Sequence, residues 1–126
     1  MDGSLLHIFS AHLLHTHQLP SVIQEEQART LAAVIPDTHS VVMGDFNATP
    51  DSNTVAIMKK SLVKADGNSE TPTWSVYVEE SDQCRTNGVT VRLDYIFTTQ
   101  DISIIHTKVE KSDGSDHLPI SMDIEL

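Results

Sequence analysis

The sequence predicts one α+β or α/β domain over residues 1–126, a mixed β-sheet with its helices on one face. Three observations predict it. Two segments in the first half repeat their apolar residues at helical spacing, each preceded by a short apolar run. The second half alternates apolar and polar residues with the period of a strand. At 126 residues the chain has the length of one domain and buries a core without needing a disulfide or metal staple.

Apolar residues around Leu5–Ala11 predict a buried first strand. Pro20 and then Ser21-Val22-Ile23-Gln24 are helix-start signals, the latter with the pattern of a capping box. Ala28, Leu31, Ala32 and Ile35 continue at helical spacing until Pro36-Asp37 stops the helix. Ser40–Met43 reads as a strand running into Gly44-Asp45, and a second helix follows Asp51-Ser52 with Val55, Met58 and Leu62 inward. Thr73–Val78 is rich in β formers and leads into a polar loop, Glu79–Gly88. Val91, Leu93, Tyr95 and Phe97 alternate with Arg92 and Asp94, as in a strand with two unlike faces. Asp101–Val109 is a further apolar stretch, and Ile120, Met122 and Ile124 alternate with Ser121, Asp123 and Glu125 in a last strand with one wet face. Two helices cover one face of such a sheet; if the other face is also apolar, something outside the chain should cover it.

Charge narrows the function classes. Eighteen acids against 8 bases leave a formal charge of −10, the wrong sign for a protein that grips nucleic acid by neutralising phosphates. The bases are scattered apart from Lys59, Lys60 and Lys64, and the acids read as solvated surface. A phosphate substrate stays admissible where a divalent cation supplies the positive charge. Apolar runs such as Leu5-Leu6 and Val41-Val42-Met43 are too short to span a membrane. Met1-Asp2-Gly3-Ser4 lacks the basic residues of a secretory signal and Cys84 has no intrachain partner, so a cytoplasmic location is expected.

Three places carry candidate chemistry. In Gly44-Asp45-Phe46-Asn47, at the end of an apolar strand, Asp45 and Asn47 are two apart and point the same way if the segment is extended. A carboxylate beside a carboxamide can orient a water and hold a phosphoryl oxygen; the same pair equally makes an Asx turn and helix cap. A calcium loop starting at Asp45 fails, because its sixth and twelfth positions are Pro50 and Ala56 rather than Gly and Glu. Ser115-Asp116-His117 offers an acid and an imidazole at a strand entrance, or else a polar turn with an exposed histidine. Asp94, between Leu93 and Tyr95, needs a partner if buried; His117 would satisfy it and fix the imidazole tautomer, while on a solvated face beside Arg92 it would need none. His12, His15 and His17 cluster after the first strand, and His15-Thr16-His17 has the two-histidine spacing of several zinc hydrolases, with exposed loop histidines as the plainer account.

Taken in order, Ala11-His12-Leu13, Gly44-Asp45-Phe46-Asn47-Ala48-Thr49-Pro50, Arg92-Leu93-Asp94-Tyr95-Ile96-Phe97 and Ser115-Asp116-His117-Leu118-Pro119-Ile120 resemble the endonuclease/exonuclease/phosphatase family. Gln27 and Thr71-Pro72-Thr73-Trp74 are similar to less specific family features. The resemblance implies a metal-dependent phosphoesterase using Mg2+ (or Mn2+), its substrate a nucleic acid, nucleotide, phosphoinositide or other phosphate ester. It implies that His12 stabilises the pentacoordinate phosphorus, that Asp45 activates the attacking water, and that Asn47 holds Asp45 and a phosphate oxygen. Asp94 would pair with His117 at the scissile phosphate, Asp116 would contribute to the metal site, and Trp74 would contact substrate. These roles suit the reaction, which needs an aligned nucleophile and neutralisation of growing charge.

The resemblance also implies an architecture. Family domains have two similar α/β halves whose sheets stack as a four-layer αββα sandwich, and this chain corresponds to the C-terminal half alone. The first half carries an Asn and the principal metal-binding Glu. Glu25 and Glu26 lie in the first predicted helix and do not replace it. The expected partner is therefore the missing N-terminal half or a second copy of the chain on the uncovered sheet face. The rival expectation is a noncatalytic interaction module, or a fragment, that lacks the metal-binding Glu.

Overall fold

In the computed structural model, which describes residues 3–74 and 90–126, the elements follow the predicted order except for a short strand at Val63–Lys64 that the sequence pattern does not announce. They are β1 (His7–His12), α1 (Val22–Val34), β2 (Ser40–Asp45), α2 (Asn53–Lys59), β3 (Val63–Lys64), β4 (Asp94–Thr98), β5 (Ser103–Val109) and β6 (Ile120–Glu125). The stretch expected beyond Trp74 to Val78 and the loop Glu79–Gly88 lie outside the described residues.

Local sequence explains the helix limits. Ser21 and Ser52 are extended N-caps whose hydroxyls accept from the N–H of Gln24 and Val55. Helix α1 stops at Ile35, extended as a residue before proline prefers to be. Only half of the expected capping box forms. The Gln24 side chain is 97% buried, at 3% exposure, and turns inward, where Nε2 donates to the carbonyls of Leu14 and Asn47 and Oε1 accepts from Thr54. A buried amide loses more by leaving these groups unmet than the cap's single N–H would return.

Strands β1 and β2 are parallel, joined by α1, while β4 runs antiparallel to both β2 and β3, giving the sheet order β1-β2-β4-β3. Strand alternation splits the core in two. Phe9, Ala11, Val42, Tyr95 and Phe97 face the helices and pack with Ala28, Val55, Met58 and Phe46. Both helices thus share one face, as expected. Val41, Met43 and Ile96 point the other way, where the antiparallel β5–β6 ribbon lays Ile104, Ile120, Met122 and Ile124 against them. That second face is therefore not bare, although Met43 and these four ribbon residues are only partly buried.

Gly44 sets the spacing of β1 and β2. Its φ is +145°, and a Cβ there would lie 1.9 Å from the carbonyl oxygen of Ala11. The two strands pass so closely, one residue before the site, because nothing projects from that Cα.

Candidate active site

Register brings the site together. His12 closes β1 opposite Asp45, which closes β2 opposite Asp94, the first residue of β4. Cross-strand neighbours project on the same face, so one row at the sheet's end presents an imidazole and two carboxylates. His117 arrives from outside the sheet, on a segment tied to it by Leu118 N–H donating to Thr73 O at 2.7 Å and by a bridge between Trp74 and His117.

The contacts are specific. Asp94 Oδ2 accepts from Thr73 Oγ1 at 2.6 Å and lies 2.7 Å from His117 Nδ1. Asp45 Oδ2 stands between two imidazoles, 3.6 Å from His12 Nε2 and 3.7 Å from His117 Nε2, while its Oδ1 accepts the Asn47 N–H at 2.8 Å. Asp45, Asp94 and His117 each bring a ligand atom within 4.8 Å of the others, a grouping able to hold a metal ion.

Electrostatics separate the roles. Burial pushes the Asp45 carboxyl above the usual carboxylate value, with the nearby Asp94 adding to the rise, against the lowering effects of the Asn47 N–H, His117 and His12. A carboxylate so raised is a better base towards water than an exposed one. Burial alone would lower His117; the Asp94 hydrogen bond and the charges of Asp94, Asp45 and Asp116 outweigh it and hold the imidazole above the ordinary histidine value.

The other expected residues take up distinct positions. Asn47 is buried beside Asp45, but its backbone N–H holds the carboxylate while its side-chain Nδ2 donates to Leu13 O at 2.8 Å. Asp116 is exposed and stands outside the Asp45–Asp94–His117 group, its Oδ2 accepting from Trp74 Nε1 at 3.3 Å. Trp74 lies 6.2 Å from the His117 ring, centroid to centroid, forming one side of the site. His15 and His17 are exposed, with rings 4.4 Å apart, and join no metal-holding group among the described residues. Asp94 does not sit on a solvated face beside Arg92, because Arg92 is 3% exposed and ion-pairs with Asp66 at 2.8 Å.

Two polar residues of the site carry more than sequence patterns assign to them. Thr73, fully buried, binds Asp94; Gln24 joins the β1–α1 and β2–α2 loops through the Leu14 and Asn47 carbonyls. Gln24 had a signal, since it precedes Ala28, Leu31 and Ile35 on the inward helical stripe, where a polar residue needs partners. Thr73 had none beyond its place in Thr71-Pro72-Thr73-Trp74.

The model of the Endonuclease/Exonuclease/phosphatase family matches residues 8–117, and the chain belongs to that family. Solved structures share the fold. An endonuclease/exonuclease/phosphatase family protein from Bacteroides thetaiotaomicron matches with a TM-score of 0.69 at 18% identity, over 93% of this chain and 48% of its own. A conserved protein from Enterococcus faecalis V583 gives 0.60 at 18% identity, over 94% and 49%. Beta toxin from Staphylococcus aureus gives 0.58 at 21% identity, over 98% and 54%. The chain thus spans about half the length of each. No curated protein matches it.

Family membership gives the chain a fold of the phosphoesterase/nuclease type, and the chain carries an acid–histidine group able to hold a metal. Among the described residues no helix is long and apolar enough to cross a membrane.

Proposed function

We propose that this chain is the C-terminal half of a Mg2+- or Mn2+-dependent phosphoesterase that hydrolyses phosphate esters with an activated water. The observation that carries the reading is Asp45 Oδ2 between the Nε2 atoms of His12 and His117, at 3.6 and 3.7 Å. Two imidazoles flanking one raised carboxylate give a base for water beside two donors for phosphoryl oxygens. Asp45 orients and deprotonates the water. His117, whose charged form Asp94 favours at Nδ1, donates from Nε2 to a non-bridging oxygen as charge grows there. His12, 76% exposed at the open rim, donates to another.

The donor set suits a hard divalent cation in kind but is short in number. Asp94 Oδ2 is taken by Thr73 and His117, which leaves Asp45 and the exposed Asp116 as the carboxylates that would hold the ion. When bound, the cation supplies charge neutralisation at the phosphate. Its remaining oxygens would come from water, substrate and a second half carrying an acidic ligand. The second face supports such a partner: Leu6, Met43, Ile104, Ile120, Met122 and Ile124 pack there yet stay partly exposed. A first half, or failing that a second copy, would complete their burial, and sedimentation of this chain with and without a first half measures it.

The test of function is hydrolysis of a panel of phosphomonoesters and phosphodiesters by the polypeptide read from the full open reading frame around this sequence. The expected result is turnover that needs Mg2+ or Mn2+, stops with EDTA, and falls by about 10²–10⁴ in Asp45→Ala and His117→Ala. A folded protein inert on every ester would overturn the reading in favour of a noncatalytic interaction module.

A further inference from the structure

One buried residue binds Asp94 and the neighbour of His117, and we propose that Thr73 is the positioning residue of the Asp94–His117 pair. The proposal deepens the phosphoesterase reading above and rests on it for its catalytic consequence. Thr73 is completely buried. Its Oγ1 accepts from the N–H groups of Leu93 and Asp94 at 3.1 and 3.2 Å, and lies 2.6 Å from Asp94 Oδ2.

A hydroxyl has two acceptor lone pairs and one proton. With both lone pairs facing backbone donors, the proton points at the carboxylate. The rotor is locked as a donor, and Asp94 Oδ2 is pinned 2.7 Å from His117 Nδ1. The main chain of Thr73 holds the other partner, because its carbonyl accepts from Leu118 N–H at 2.7 Å, one residue past the imidazole. Side chain to the acid and carbonyl to the histidine's strand entrance: the distance between them is set through one Cα.

Thr73 is itself braced. Its N–H donates to Val91 O at 2.9 Å. Arg92, buried against Asp66, donates Nη1 to Thr71 O at 3.2 Å and Nε to Asp94 O at 2.6 Å. The guanidinium thereby ties the 71–74 segment to the start of β4. With Asp94 accepting at Nδ1, His117 keeps its proton there, and its Nε2 is left facing Asp45 Oδ2.

Thr73→Val removes the hydroxyl at nearly constant volume and Thr73→Ser keeps it. Long-range 1H–15N NMR spectra of the His117 ring in this chain, at a pH where the ring is neutral, report which nitrogen carries the proton. The parent and Thr73→Ser should show the Nδ1–H tautomer, and Thr73→Val a mixture of both. In the full reading frame Thr73→Val should lower kcat about 10–100-fold with KM within about two-fold, and Thr73→Ser should restore it. If Thr73→Val does not fold, Thr73→Cys, a much weaker donor, should shift the tautomer part of the way. An unchanged tautomer in the folded Thr73→Val or Thr73→Cys protein overturns the proposal. A shifted tautomer in a protein that cleaves no ester supports the positioning role and sinks the phosphoesterase reading instead, so the two failures are told apart.

Discussion

Asp94 Oδ2 and His117 Nδ1 lie 2.7 Å apart across 23 residues of sequence. The bond joins the first residue of β4 to a loop outside the sheet, fixing the ring that faces Asp45. Asp94→Asn keeps the shape but removes the charge. We expect kcat to fall by about 10²–10⁴, with the melting temperature little changed. His117 should titrate lower than in the parent, nearer the ordinary histidine value, because Asp94 supplies both the hydrogen bond and the largest charge that raise it. Histidine NMR titration of the pair of proteins checks this.

Stability should fall with rising pH in two separate windows, one for each raised group. His117 is raised above 6.5 in the folded chain, so its contribution is complete below that value and lost as pH climbs through the raised one. Asp45 is raised above 3.8: the folded state holds that proton more tightly than the unfolded state, and stability falls as pH rises from 3.8 through the raised value. Asp45→Asn should therefore be more stable than the parent at pH 7, the advantage fading in acid below 3.8. Urea unfolding at neutral and acid pH measures it; a less stable Asp45→Asn at pH 7 would mean that attraction to the two histidines outweighs burial.

Phe46 anchors the loop that carries Asp45 and Asn47. It is fully buried, edge-on to Tyr95 at 5.8 Å and to Phe97 at 5.2 Å. Phe46→Ala should cost about 3–5 kcal/mol in denaturant unfolding. A loss below about 1 kcal/mol would mean that the loop, not the core, holds this ring.

Gly44→Ala is the sharpest test of the strand spacing. Its Cβ would meet the Ala11 carbonyl at 1.9 Å, on a φ of +145° that side chains rarely adopt. Strand β1 must move, and His12 moves with it away from Asp45. The expected cost is more than about 3 kcal/mol, read by thermal melting, with activity lost in whatever folds.

Several of these features can be read directly from residue order. Ser21 and Ser52 mark the helix starts, and the alternation of Tyr95, Ile96 and Phe97 divides them between two core faces. Such signals are local: a cap is satisfied within three residues, and a strand sorts its side chains by period two. Gln24 shows where local rules stop. Its spacing from Ser21 spells a capping box, yet burial made its amide worth more to Leu14, Asn47 and Thr54.

By itself the sequence determined most of the order of helices and strands, the mixed α-and-β class, and the family, through four motifs that contain His12, Asp45, Asn47, Asp94, Asp116 and His117. Only the tertiary structure decided which of them meet. Strand register put His12, Asp45 and Asp94 in one row, Thr73 locked Asp94 onto His117, and Asp116 was left at the exposed rim. The reason is that hydrogen bonds between residues far apart in the chain depend on register and on buried polar groups finding partners, and neither is written in the spacing of residues along one strand.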